Sequence, residues 1–298
     1  MLRRIGLAAL VLVIAALAAM VWQHSKYASI RRDMVQDRQA LFHGAVFHVV
    51  TFLQTAPGED VIDAVRAFKQ DTEGVQGAKW IYAGKAAIDA ITSSQLPPVD
   101  WSAVVLLQYP SRAAYEAHAA SAEYQAALEA FETSYSHGAR RSAGVNLMLP
   151  QALLARRVLR AVTFQSADYP FTPAPASDAL PRLADIASAL QANAELGADA
   201  IAIVNLIKHG TPEQQAADRV YVGRMMDLMA DKGYGPVHLG AAETLPGGRD
   251  YDDFAIVYYP GVDYFFEMVS STYMQGIAGD KQLSDTQATI TAPILDLL

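Results

Sequence analysis

The sequence contains no cysteine, which removes disulfide staples, thiolate metal sites and thiol nucleophiles from the ways this chain can be held together or act. Charge is sparse as well: Asp, Glu, Lys and Arg make up 18% of the 298 residues, and the formal net charge is −8. No basic block lies outside the N-terminal region, so the clustered Lys and Arg that neutralise phosphates are missing and no nucleic-acid partner is expected. His118, His137, His209 and His238 are scattered without the His-x-x-x-His or Glu-x-x-His spacing that sets two ligands on one helix face, so no metal site is expected. Gly233, Gly235, Gly247 and Gly248 fall at turns, without the spacing of a phosphate-binding loop.

What the chain does have is apolar residues, 52% of it, and part of that excess sits in one run. Ile5 to Trp22 carries no charge, with Arg3 and Arg4 before it and Gln23, His24 and Lys26 after it. At about 1.5 Å rise per residue such a run reaches roughly 27 Å, close to the ~30 Å hydrocarbon core of a bilayer. Residues 1–22 are therefore expected to be a single-pass anchor in the inner (cytoplasmic) membrane, followed by a polar, partly helical stalk over 23–44. A cleaved signal peptide is the alternative, since Ala16-Leu17-Ala18 resembles a small-residue cleavage site; Trp22, suited to the membrane interface, favours the anchor. Arg3 and Arg4 are nearly balanced by Lys26, Arg31 and Arg32. The short basic head points to a soluble part on the periplasmic, extracytoplasmic side.

Beyond the stalk one pattern occurs twice. Trp101 to Tyr109 is an apolar strand ending at Pro110, followed by a helix with Tyr115, Ser121 and Tyr124; Phe254 to Tyr259 ends at Pro260, followed by a helix with Phe265, Ser270, Ser271 and Tyr273. Upstream, Val50-Thr51-Phe52-Leu53 before Pro57 matches Val204-Asn205-Leu206-Ile207 before Pro212. The spacing predicts strand 45–55, helix 59–73, strands 77–88 and 101–110, helix 112–136 and strand 139–148 in the first copy. In the second it predicts strand 200–209, helix 212–232, strands 235–245 and 251–260, helix 262–281 and strand 284–292. Val61, Val65 and Phe68, and then Val222, Met225, Met226 and Met229, mark single apolar helix stripes.

This is βαββαβ twice, an α+β chain with a first ferredoxin-like domain over 45–149 and a second over 200–298. Between them, residues 150–199 read as a Pro/Ala-rich linker with a helix from Asp178 to Leu196 and an edge strand over 156–166. Each unit leaves one sheet face uncovered, and two linked copies are each other's nearest cover, which gives an intramolecular dimeric α/β-barrel. Two independent units, each pairing with another chain, are the alternative.

The segment Val204-Asn205-Leu206-Ile207, the helix with Tyr221, and Tyr259-Pro260 with Phe265, Met268, Ser271 and Tyr273 resemble an uncharacterised family of the dimeric α/β-barrel superfamily over about residues 200–293. The first copy resembles the same superfamily through Tyr109, Pro110, Ser111, Ser121, Tyr124 and Gln125, and its His48-Val49-Val50 strand is similar to stress-responsive α/β-barrel domains. The resemblance implies a pocket between sheet and helices, in a superfamily that includes small monooxygenases, polyketide cyclases, haem-dependent enzymes and non-catalytic members. Fold alone does not choose among these.

The candidate catalytic residue is His48, a first-strand histidine of the kind that acts as a base in cyclase-like relatives; a core histidine is the plainer reading. Thr51 and Asn205 occupy equivalent positions and are candidates to line a cavity where the two sheets meet, with Tyr82, Tyr109 and Tyr259 as further pocket candidates, against the alternative that they satisfy neighbouring backbone or pack in cores. Tyr124 and Tyr273, with Ser121 and Ser270 nearby, are expected to fasten the second helix of each copy. The sequence specifies no cofactor. The expectation is a membrane-anchored protein that binds a small apolar or aromatic molecule, with monooxygenase- or cyclase-like chemistry if His48 is catalytic. A non-catalytic, membrane-tethered interaction or scaffold module is the alternative.

Overall fold

The computed structural model describes residues 2–35, 46–141, 143–165, 169–175, 180–192 and 200–298. Its helices are α1 (Leu2–Val35), α2 (Val61–Thr72), α3 (Arg112–Ala119), α4 (Ala122–Glu129), α5 (Ala143–Val162), α6 (Pro181–Ala192), α7 (Pro212–Lys232), α8 (Val262–Val269) and α9 (Thr272–Ile277). The strands are β1 (Val46–Gln54), β2 (Lys79–Ile91), β3 (Ala103–Tyr109), β4 (Thr133–Arg141), β5 (Ile201–Lys208), β6 (Pro236–Glu243), β7 (Asp253–Tyr259) and β8 (Asp285–Pro293).

The strands close into one barrel in the order β1-β3-β2-β8-β5-β7-β6-β4. Every neighbouring pair is antiparallel. Reading each half separately gives β4-β1-β3-β2 and β8-β5-β7-β6, the same order twice, in a ferredoxin-like α+β arrangement. An open four-stranded sheet has two edges with unpaired N–H and C=O groups. Here each edge meets an edge of the other half: β2 pairs with β8 from Gly84–Pro293 to Ile91–Ala288, and β4 pairs with β6 at Gly138–Glu243, Ala139–Ala242 and Arg140–Ala241.

Strand alternation sorts the side chains into a lumen and an outer layer. Val50, Phe52, Tyr82, Val104, Leu106, Ala202, Val204, Leu206, Phe254 and Ile256 pack together inside the barrel. Phe47, Val49, Leu53, Val105 and Leu107 face outward, where Val65 and Phe68 of α2 and Tyr115 and Tyr124 of α3 and α4 cover them. Because both faces are covered, β3 is buried along its whole length, and its sequence is correspondingly apolar without alternation.

The helix starts follow from local chemistry. Asp60, Ser111, Ser121 and Ser271 each accept a bond from the backbone N–H three residues on, and Thr211 and Gln214 form a reciprocal capping box before Pro212 opens α7. α7 stops at Gly233, whose φ of 80° is left-handed. The serine that fastens α9 is Ser271, whose Oγ accepts from Met274 N at 3.1 Å and donates to Met268 O; it is not the expected Ser270.

Several expected elements are corrected. The helix over 112–136 is two short helices, because Ser121 caps a fresh start at α4 and Thr133-Ser134-Tyr135-Ser136-His137 takes up strand alternation. β4 therefore begins at Thr133, ahead of the expected residue 139. The single helix over 262–281 is likewise broken at Ser271. Residues 143–148 of the expected strand 139–148 and residues 156–162 of the expected edge strand belong instead to α5, with 163–165 beyond its end. On α5, Arg156 and Arg160 stand one helical turn apart and meet Asp227 and Asp231, one turn apart on α7, at 2.7 and 2.9 Å. Residues 36–44 of the expected stalk and residues 166–168, 176–179 and 193–199 of the expected linker lie outside the described residues.

α1 contains Gly6–Gln23, 18 residues of mean hydropathy 2.2, long and apolar enough to cross a bilayer; a signal sequence meets the same criterion. The side chains of this run up to Trp22, Leu12 and Val21 among them, are exposed.

The short β4–β6 seam yields a stability prediction. A methyl group at Gly138 would come within 2.7 Å of both the Glu243 carbonyl oxygen and the Phe47 ring. Gly138→Ala should lower the unfolding free energy by about 1–3 kcal/mol, the usual range for overpacking. Urea unfolding measures it, and an unchanged midpoint would show that the seam yields without strain.

Candidate functional site

The two halves share a strand order but fill their outer layers differently. Over β1 and β3, rings take the space: Phe68 lies 5.8 Å from Trp80, 6.0 Å from Tyr124 and 5.8 Å from Phe131, centroid to centroid. Over β5, β7 and β8, the sheet presents Ile203, Asn205, Ala255, Val257 and Ala288, and the helices present methionines. Between them is a cavity of about 1080 Å³. Met225, Met226 and Met229 of α7, Met268 of α8 and Met274 of α9 form most of its roof, and Leu183 and Ile186 of α6 close one flank.

The apolar wall has a few polar members. Asn205 lines the cavity while its Nδ2 donates to the carbonyls of Ile203 at 3.1 Å and Ala255 at 3.4 Å, so it satisfies backbone and borders the space at once. Tyr259 is buried in the wall at the foot of α8, with its ring 4.7 Å from that of Phe265. Burial, then the nearby Tyr221 and Tyr264, push its phenol well above the ordinary value, so Tyr259 is neutral throughout the physiological range. At one end Arg182, His209, Asp218, Tyr221 and Lys281 gather. Burial, followed by the charge of Arg182, brings the Lys281 ammonium down to about 8, against the pull of Asp218. Burial raises the Asp218 carboxyl, with Lys281 and His209 opposing.

The expected pocket residues therefore divide. Asn205 and Tyr259 line the cavity, which lies between sheet and helices and not, as expected for Thr51 and Asn205, where the two sheets meet, a space that packed side chains fill; Thr51, Tyr82 and Tyr109 do not line it. Thr51 occupies the position matching Asn205, but in the filled half, where its Oγ1 lies 2.9 Å from Ser136 Oγ. Tyr82 points into the lumen, its hydroxyl paired with Thr291. Tyr109 is packed under α3, its hydroxyl 3.0 Å from Nδ1 of the buried His118. His48 shares the lumen face with Val50 and Phe52, as alternation predicts, and its ring lies 6.2 Å from that of His238. The void beside these two rings is about 10 Å³, the space of one water; His48 points to the lumen while Asn205 and Ala255 face the helices, and Leu239, Gly240 and Phe254 border both spaces.

Sequence reasoning placed Met225, Met226 and Met229 on one helix stripe, yet a stripe that faces a void reads the same as one that faces a core. Arg182 and Lys281 carried no signal, since each is an isolated cation in a segment with no motif. Among the described residues no group of three His, Asp or Glu is placed to hold a metal ion. For haem, the one imidazole among the described residues of the wall is His209, which stands half-exposed at the rim with Nε2 2.8 Å from Asp253. That donor set does not fit a buried axial ligand.

No family model matches the chain, and no curated protein does. Among solved structures it is similar to a chlorite dismutase from Candidatus Nitrospira defluvii (11% identity, 88% of this chain and 97% of that one, TM-score 0.43). It is also similar to a dye-decolorizing protein from V. cholerae (15%, 85% and 96%, 0.44) and to a Fusobacterium nucleatum protein described as a candidate monooxygenase (11%, 85% and 93%, 0.41).

The packing of Tyr109 on His118 carries a pH consequence. Burial holds the His118 pKa below its ordinary 6.5, with Glu123 opposing. The unfolded chain then binds a proton at a pH where the folded chain does not, so this contribution is complete above the unfolded pKa and is lost as pH falls through 6.5 toward the folded value. Thermal unfolding should show stability declining on that acid limb, and His118→Gln should reduce the decline, the remainder including His137, whose pKa burial also lowers.

Proposed function

We propose that this chain is a membrane-tethered binding protein for a small apolar molecule, held in the cavity between the second half's sheet and helices α6 to α9. The observation that supports this reading is the asymmetry of the two halves. Where one packs Phe68, Trp80, Tyr124 and Phe131 against its sheet, the other keeps about 1080 Å³ open under five methionines. An empty apolar cavity is costly, since its lining forfeits dispersion contacts. Methionine, unbranched and polarizable, adapts to guests of varied shape. The volume lies at the upper end of the ~300–1,000 Å³ common for small-molecule sites.

The rest of the reading follows the sequence. The two halves are read as tandem copies of one ferredoxin-like unit, over 45–149 and 200–298, the second with an open space beside its outer core. α1 serves as a single-pass anchor, with the barrel on the extracytoplasmic side. The volume beside His48 takes no substrate, so the cavity rather than that histidine is the centre of function.

The test is thermal unfolding of the purified chain against aliphatic and aromatic compounds. A ligand at about 100 times its Kd adds about 2.7 kcal/mol, a rise in Tm of several degrees for a domain this size. Ala255 and Ala288 line the cavity floor, so Ala255→Trp with Ala288→Trp should abolish that rise while leaving the unliganded protein folded. A broad panel without any shift, or a shift that survives the filled cavity, would sink the reading.

A further inference from the structure

The charged residues of the cavity wall are Arg140, Arg182, His209, Asp218, Asp253 and Lys281. Two pairs of side chains account for three of them: Arg140 Nε meets Glu243 at 2.6 Å, and His209 Nε2 meets Asp253 at 2.8 Å. Arg182 and Lys281 are left with Asp218, and among the described residues no carboxylate lies within ion-pair distance of either cation. Lys281 is half-buried beside Tyr221, its Nζ 5.7 Å from the ring centroid, and it feels the charge of Arg182. Two cations against one acid leave a single positive charge at one end of an otherwise oily chamber. A partly desolvated ammonium without an ion-pair partner is unfavourable, and a bound anion relieves it.

We propose that the cavity takes a long-chain carboxylate, its headgroup between Arg182 and Lys281 and its chain among Met225, Met229, Met268 and Met274; this rests on the cavity being a binding site. The single surplus charge matches a monoanion. Among the described residues the remaining wall has no second cationic spot without a partner, so the ligand has one polar end. Its tail binds through burial of methylenes, each worth roughly fourfold in affinity.

The test is displacement of a fluorescent long-chain carboxylate from the full chain in a fixed detergent, by palmitate and by hexadecanol. Palmitate should bind roughly tenfold or more tightly than hexadecanol, the effect of charge-assisted hydrogen bonds. Arg182→Gln with Lys281→Gln should erase that preference while moving hexadecanol by less than about twofold. The advantage of palmitate should also shrink as pH rises through about 8, where Lys281, faced by Arg182, Asp218, Tyr221 and His209, loses its charge. Equal affinities for palmitate and hexadecanol, or a preference that survives the double variant, overturn the headgroup assignment and leave the cavity reading intact. Probe binding that persists in Ala255→Trp with Ala288→Trp, or no binding of either compound, overturns both.

Discussion

Closure of the barrel is the constraint on which the other features depend. Neither half can leave its strand edges bare, and neither can leave the face bearing Val50, Phe52, Val104 and Leu106, or Ala202, Val204, Leu206 and Ile256, in water. Joining β2 to β8 and β4 to β6 answers both needs in one step. It also settles where the helices go. With the lumen taken by side chains from both sheets, the helices lie outside, and any space for a ligand must lie between helix and sheet.

The difference between the halves then becomes a matter of side-chain volume on one layer. On the outer face of the first half, Phe68, Trp80, Tyr115, Tyr124 and Phe131 interlock at ring distances. In the second, Ala255 and Ala288 lower the floor and thioethers line the roof. α7 is far longer than α2, and its position is set from outside by Arg156 and Arg160 of α5 on Asp227 and Asp231. α6 and residues 169–175 brace the same side, with Pro173 bridged to Ser271 and Ala174 N bonded to Ser270 O. The segment between the halves is thus part of the container.

Much of the architecture was legible because it repeats. Tyr109-Pro110 and Tyr259-Pro260 mark the same strand end twice, and Thr211-Pro212 announces α7 through capping chemistry that acts locally. The breaks at Ser121 and Ser271 were missed because a serine inside an apolar periodic run reads equally as an exposed helix position and as a new cap. α5 was missed for a different reason: its arginines are matched by acids on α7, a pairing between segments far apart in the chain. Among site residues, alternation gave the facing of His48 and set Thr51 and Asn205 on one common face, but that face is turned to the helices and not to the meeting of the sheets, and only three-dimensional packing separates Thr51, against Ser136, from Asn205, against open space.

The two joints of the barrel are unequal. β2 and β8 run together along much of their length, whereas β4 and β6 hold at only Gly138, Ala139 and Arg140 against Glu243, Ala242 and Ala241. Arg140 and Ala241, together with Gly240 beside them, also belong to the wall of the chamber. The least-stitched join in the cylinder is thus one side of the container itself, so any molecule seated there would lie across the two halves' shortest ladder and act as a rivet between them.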